Sequence, residues 1–308
     1  MDISILIPVM NEEENIAPLY ERLNEVLSKL NKVYEIIFID DGSKDKTIPE
    51  IKKLNEKDKK VKLIQHRANF GKSNALENGF REATGKVIFT MDGDLQDDPR
   101  EIPRFLEALN RYDVVSGWKF RRKDPVTKTL PSKLANYVTR KATGVKIHDM
   151  NCGYKAYRSE VVKNLHLYGD MHRYIPALVS AQGYRVGEIR VVHHKRRFGK
   201  SKYGFMRLFR GLFDFVTIRF LTNYSKRPLH FFGGWGFLAG FIGALFEFIA
   251  ILFKIIRGDP FLDHISLILS GFILIVIGFQ LVSLGLLGEM MIKKDNKDGY
   301  EIRQKIGF

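Results

Sequence analysis

The chain of 308 residues carries 50 Lys and Arg against 35 Asp and Glu, a formal charge of +15. That balance suits a nucleic acid, an anionic membrane surface or a phosphorylated substrate. The first is set aside, because no helix-turn-helix, zinc-finger or RNA-binding signature accompanies the charge. The single cysteine, Cys152, excludes an intrachain disulfide and a thiolate metal cluster, and it places the folded domain in a reducing compartment.

In chain order, the apolar run Ile3 to Val9 predicts a strand and opens the sequence without a basic, cleavable leader, so membrane targeting is expected from C-terminal segments. Helical patterns over Ile16 to Leu30, Thr47 to Glu56 and Ser73 to Thr84 alternate with strand-like Glu35 to Ile39, Val61 to Gln65 and Lys86 to Met91. This βαβ rhythm predicts a Rossmann-like α/β unit over residues 1 to about 115, with a mostly parallel sheet and helices on both faces. Ligands of such sheets bind beyond the carboxyl ends of the strands, where three acidic or turn-forming clusters fall: Asn11-Glu12-Glu13-Glu14, Asp40-Asp41-Gly42-Ser43 and Asp92-Gly93-Asp94. Gly71-Lys72-Ser73 resembles the end of a P-loop, but that loop needs a glycine at position 66, which is His66.

Basic residues crowd into His193-His194-Lys195-Arg196-Arg197 and then Lys200, Lys202, Arg207 and Arg210. Tyr203 to Asn223 sets Phe205, Leu208, Leu212, Phe215 and Phe220 among Arg207, Arg210 and Arg219, the pattern of an amphipathic helix lying in a headgroup layer. Residues 229–256 and 265–291 are each long and apolar enough to cross about 30 Å of hydrocarbon, and Arg257-Gly258-Asp259-Pro260 breaks the helix between them. Lys226 and Arg227 before the first span, with Lys293, Lys294 and Lys297 after the second, place both flanks and the preceding domain in the cytoplasm. The expected division is a catalytic domain over 1–202, an interfacial helix region over 203–226, a transmembrane hairpin over 227–292 and a basic tail over 293–308.

The chemistry concentrates at Asp92-Gly93-Asp94, which ends the buried strand Val87 to Met91. Two carboxylates at the end of an apolar strand repel each other and lose hydration, and a divalent cation relieves both costs. Together with Ile7-Pro8-Val9-Met10-Asn11-Glu12, Ile39-Asp40-Asp41-Gly42-Ser43, Asn69-Phe70-Gly71-Lys72, Met91 to Pro99 and Asp149 to Lys155, the segment resembles the family 2 glycosyltransferases of GT-A fold. The resemblance is to the polyprenyl-phosphate hexosyltransferases, a group spanning dolichol-phosphate mannose synthases and bacterial glucosyltransferases with C-terminal membrane helices.

The resemblance implies that Pro8, Met10 and Glu12 line a nucleobase pocket, that Asp40 and Asp41 bind base and ribose, and that Lys72 lies near the donor. Asp92 and Asp94 would meet ribose and a Mg²⁺ or Mn²⁺ ion, with Gln96 on the metal or the donor phosphate. Arg197, Lys200, Ser201 and Lys202 are candidate phosphate ligands, Arg197 on the donor side, and Lys128 and Ser132 share a helix face for the acceptor phosphate. Asp94 and Asp149 are the catalytic candidates, Asp149 by its spacing from Gly153. The implied partners are a UDP- or GDP-linked sugar, polyprenyl or dolichyl phosphate and membrane lipids, with homo-oligomerisation through the membrane helices open. A processive polysaccharide synthase shares the fold, but its Gln-x-x-Arg-Trp signature is absent. An inactive membrane-bound scaffold is the rival of another class, and retention of Asp92, Asp94 and Gln96 argues against it.

Overall fold

The computed structural model describes residues 1–120, 140, 144–163, 165–167, 169–194, 220, 224, 227–258 and 260–295. It divides into two compact units, Met1–Ile218 and Arg219–Phe308.

The first unit is built on a seven-stranded sheet: β1 (Ile3–Val9), β2 (Tyr34–Asp40), β3 (Val61–Gln65), β4 (Val87–Thr90), β5 (Val114–Trp118), β6 (Lys155–Arg158) and β7 (Val186–Arg190), in the order β3-β2-β1-β4-β6-β5-β7. β3, β2, β1 and β4 pair in parallel, as do β5 and β7, whereas β6 runs antiparallel to both of its neighbours. β2 is buried at all seven positions, as expected of a parallel strand covered on both faces.

Helices α1 (Glu13–Leu27), α2 (Thr47–Lys57), α3 (Lys72–Glu82) and α4 (Ile102–Ala108) fill the crossovers and lead from β4 to β5, and the one-turn α5 (Ser159–Val162) and α6 (Ile175–Ala181) follow β6. α1 starts three residues earlier than its apolar pattern predicts, because Glu13 and Glu14 in its first turn favour the positive end of the helix dipole. Ile5, Ile7, Ile16, Leu19, Phe38, Phe89, Phe105 and Tyr154 form the main core.

The second unit contains α7 (Pro228–Arg257) and α8 (Ile265–Asp295), close to the spans read from sequence and each long and apolar enough to cross a membrane. A Cβ on Gly236 would lie 2.7 Å from the Gly278 carbonyl, and one on Gly243 would lie 2.6 Å from that of Gly271, so glycines let the helices approach antiparallel at close range. Their outer faces expose Phe237, Phe241, Ile255, Phe272 and Phe279, a surface suited to lipid.

One buried charge in the sheet tests the packing directly. Glu35 is wholly buried and accepts from Ser4 Oγ at 2.5 Å, Thr84 N and Oγ1 at 2.8 Å each and Lys62 Nζ at 2.6 Å. Burial would raise its pKa, but the bonds from Lys62, Ser4 and Thr84 outweigh burial and hold it at about 2. Because the folded pKa is depressed, its stabilising contribution is complete above the unfolded value of about 4.3 and is lost as pH falls toward 2. Glu35→Gln should therefore lower the unfolding midpoint at pH 7, and its deficit against wild type should shrink between pH 4.5 and pH 2 in thermal unfolding scans. A pH-independent deficit would assign the effect to packing alone.

Candidate active site

Because β2, β1 and β4 are adjacent and parallel, the acidic clusters that follow them arrive at one edge of the sheet. At β2, the Asp40 carboxylate accepts from the backbone N–H groups of Gly42 and Ser43 at 3.2 Å. Asp41 accepts from Phe70 N at 2.8 Å, Gly71 N at 2.9 Å and His66 Nδ1 at 3.0 Å, so it fixes the Asn69-Phe70-Gly71 loop that starts α3. Gly42 is required there: its φ is +81°, and a Cβ would lie 2.8 Å from the backbone of Ala68 and Asn69. At β1, Asn11 adopts φ +54° and its N–H donates to Ser43 Oγ at 2.8 Å, while Glu12 N donates to Thr47 Oγ1 at 2.8 Å and its carboxylate holds Asn15. Asn69 Nδ2 donates to the Met10 sulfur, which ties the first loop to the α3 loop.

Beyond β4, Asp92 is about 30% exposed and pairs with Lys72 from the first turn of α3. A Cβ on Gly153 would lie 2.6 Å from both Asp92 carboxylate oxygens, so glycine is needed where the segment before β6 passes this acid. Burial opposes ionisation of Asp92, but Lys72, Lys119 and Lys155 together hold its carboxyl well below the usual range. Asp94 is buried and accepts from Gln96 N at 3.2 Å. Leu95 between them has φ +62°, strained backbone of the kind that collects at functional loops.

The described residues contain no group of three His, Cys, Asp or Glu side chains placed to hold a metal. Two carboxylates and the Gln96 amide nevertheless fit a hard cation of the Mg²⁺ type, which takes one or two carboxylates and completes its shell with substrate phosphate oxygens and water. Asp92 and Asp94 would hold such an ion, with Gln96 beside them.

The next two acids of the segment, to which sequence analysis attached no role, join this loop to the stem of the basic segment. Asp97 is 1% exposed: it accepts from Asp92 N at 3.3 Å and lies 3.6 Å from Lys119 Nζ and 3.8 Å from His193 Nδ1. Asp98 takes Arg100 by both oxygens and lies 3.0 Å from His194 Nε2. Gln96 and His194 exchange two further bonds, His194 N to Gln96 O at 2.8 Å and Gln96 Nε2 to His194 O at 3.1 Å. One buried carboxylate thus touches residues following β4, β5 and β7.

Lys119 stays firmly charged, because Asp97, Asp92 and Asp149 outweigh the cost of burying it. Asp149 is 2% exposed and lies in the field of Lys119 and Lys155. Burial pushes the Cys152 thiol up to about 12, which makes it a packing group rather than a nucleophile. Lys128, Ser132, Arg197, Lys200, Ser201 and Lys202, with the amphipathic segment, lie outside the described residues, apart from Phe220. Asp97 stood within the motif quoted from sequence and His193 within the basic run, whereas Lys119 carried no signal of its own, and only the pairing of β5, β6 and β7 brings Lys119 and His193 to this edge.

Residues 4–165 match the profile of glycosyl transferase family 2, and the chain belongs to that family. It is 35% identical to the dodecaprenyl-phosphate galacturonate synthase of Rhizobium johnstonii over 99% of its own length and 93% of that protein. It is also 35% identical to the undecaprenyl-phosphate 4-deoxy-4-formamido-L-arabinose transferase of Pseudomonas aeruginosa, over 94% of this chain and 84% of the relative. Among solved structures, the glucosyl-3-phosphoglycerate synthase of Mycobacterium tuberculosis with Mn²⁺, UDP-glucose and phosphoglyceric acid matches 73% of this chain and 81% of its own, at 16% identity and a TM-score of 0.56. That likeness confirms the GT-A fold read from sequence.

The position of Asp97 makes a prediction. Asp97→Asn keeps the volume but removes the leading one of the three carboxylates that compensate the Lys119 ammonium. Turnover by folded protein should fall about tenfold or more when assayed well below both unfolding midpoints, while nucleotide affinity changes little. Wild-type turnover together with a lowered midpoint would make Asp97 a stability residue only.

Proposed function

We propose that the protein transfers a hexose from a nucleoside-diphosphate donor to polyprenyl phosphate at the cytoplasmic face of a membrane, with inversion at the anomeric carbon. The observation that carries this reading is the Asp92–Asp94 pair at the carboxyl edge of the sheet, held beside Lys72 and tied to the His193-His194 stem. Similarity over nearly the full length to two enzymes named for polyprenyl-phosphate acceptors supports the acceptor. The two apolar helices supply a means of keeping the chain beside such a lipid.

In this reading a non-bridging oxygen of the lipid phosphate forms a bond to the anomeric carbon as the bond from that carbon to the donor diphosphate breaks, and both electrons leave with the nucleoside diphosphate. A lipid phosphate is anionic near neutral pH, so no residue has to remove a proton from it. A divalent ion, when bound, supplies positive charge to the departing diphosphate. Asp92 and Asp94 would hold that ion, Lys72 and Lys119 add fixed positive charge beside them, and Pro8, Met10, Glu12, Asp40 and Asp41 would border the nucleoside. Lys128, Ser132, Lys200, Ser201 and Lys202 are assigned to the acceptor phosphate and Arg197 to the donor. Asp149 positions the acceptor side. UDP and GDP donors both remain within this reading.

The test is to incubate purified protein with polyprenyl phosphate and a panel of UDP- and GDP-sugars, and to analyse the lipid by mass spectrometry. One donor should give a glycosylated lipid, and excess chelator should stop the reaction until Mg²⁺ or Mn²⁺ is added back. Asp94→Asn should lower turnover by about a hundredfold or more, the scale set by removing one preorganised charge-stabilising group, while the fold survives. Absence of product with every donor from folded wild type would reject the reading, and transfer that persists in chelator would reject the metal.

A further inference from the structure

Beside Asp92 the sheet edge encloses a cavity of about 100 Å³ lined by Lys72, Asp92, Cys152, Lys155, His172 and Arg173, with Asn151 and Thr90 among the remaining walls. Three of these side chains are cationic and one is a carboxylate. Lys72 pairs with that carboxylate, and Arg173 Nη2 lies 3.1 Å from Asp170 Oδ2. Lys155 differs from both: it is 2% exposed, and its ammonium donates to a backbone carbonyl, that of Cys152. His172 adds no charge, since burial and the neighbouring cations push its pKa down to about 2, and its Nδ1 lies 3.0 Å from Ser73 Oγ.

An ammonium has three N–H groups, and burying one against a neutral carbonyl leaves most of its desolvation cost unrepaid. Burial accordingly pulls the Lys155 pKa down to about 8, Lys72 adding repulsion and Asp149 and Asp92 only partly opposing it. A buried cation facing a small polar cavity is stabilised by any anion that enters, more so than a surface lysine, because the pair forms where water is scarce. Structural service to the Asn151-Cys152-Gly153 turn would need the carbonyl bond but not the cavity.

We propose that this cavity is an oxyanion site that receives an anionic oxygen group of a substrate, with Lys155 as its principal ligand and Arg173 beside it. Its named ligands are other residues than those assigned above to the acceptor phosphate, and the identity of the substrate rests on the transferase reading. Two groups carry the required chemistry: the phosphate of the acceptor lipid, and a carboxylate on the donor's sugar.

The experiment uses the full chain in neutral detergent and compares wild type with Lys155→Met, which keeps length and apolar bulk, and with Arg173→Gln, whose partly exposed side chain makes it the safer variant for folding. In the first arm the thermal midpoint is followed against inorganic phosphate at constant ionic strength. Wild type should be stabilised more than either variant, and equal stabilisation of all three would overturn the site. In the second arm KM is measured for polyprenyl phosphate and for UDP-glucose and UDP-glucuronate as neutral and acidic donor probes. A rise of about tenfold in acceptor KM assigns the cavity to the lipid phosphate. A loss confined to the acidic donor assigns it to a sugar carboxylate, and unchanged constants for all three substrates overturn the inference. If wild type glycosylates no polyprenyl phosphate, the proposed function fails, while the phosphate-dependent midpoints still decide whether the oxyanion site exists.

Discussion

Three carboxylates, Asp92, Asp97 and Asp149, act on one ammonium, that of Lys119, at the carboxyl edge of the sheet, and much of the local architecture follows from balancing their charge. Bare acids gathered in a partly dry space would protonate or force the loops apart. Lys119 supplies the central charge, Lys72 reaches in from the start of α3, and Lys155 comes from the first position of β6. Acids so compensated stay ionised without a resident metal. In the proposed reading such an edge would take a cation delivered with a diphosphate without closing a complete protein cage around it.

The antiparallel strand is what makes this possible. In a wholly parallel sheet every strand presents its last residues to the ligand edge and its first residues to the opposite one. Since β6 runs the other way, with Lys155 opposite Thr90, the residues that lead into it arrive at the edge where β4 ends. Gly153 can then pass against Asp92, Thr90 Oγ1 donates to the Gly153 carbonyl at 2.8 Å, and Lys155 enters the cavity wall. The same reversal lets β5 and β7 pair in parallel beyond it, which delivers Lys119 and His193 to Asp97. One inverted strand therefore brings residues from the second half of the sheet to the edge that carries the acids after β2, β1 and β4.

How much of this the sequence disclosed follows the same division. β1 to β4 and the helices between them were legible because long apolar runs alternate with helical periodicity, and the two long C-terminal helices were legible from hydropathy alone. The strands β5, β6 and β7 were not, since Val114–Trp118 and Val186–Arg190 are short and mixed and Lys155–Arg158 begins and ends on a charge. Motif spacing singled out Asp92 and Asp94 after β4, but it did not show that Asp41 is engaged by the loop before α3 or that Asp97 bridges three strand ends. Apart from the local Asp92–Asp97 bond, those facts depend on contacts between residues 22 to 96 positions apart, which no local pattern encodes.

The two units solve different solvation problems, which is why they look so unlike in sequence. A polyprenyl phosphate has a tail that is stable only in hydrocarbon and a charged head whose transfer into a protein interior is costly unless cations await it. The glycine-packed hairpin of α7 and α8 meets the first requirement by presenting apolar side chains outward and closing its polar backbone within helices. In the proposed reading, buried ammonium groups at the sheet edge address the second, because a phosphate arriving there would find Lys119 and Lys155 already desolvated and already held in place. The work of stripping water from those groups is done by folding rather than at each turnover, and that preorganisation is what an electrostatic contribution to catalysis requires. In the proposed reading a lipid-phosphate transferase of this kind would need charges of fixed position rather than a dedicated base, and fixed charge is what α3, β6 and the residue after β5 contribute.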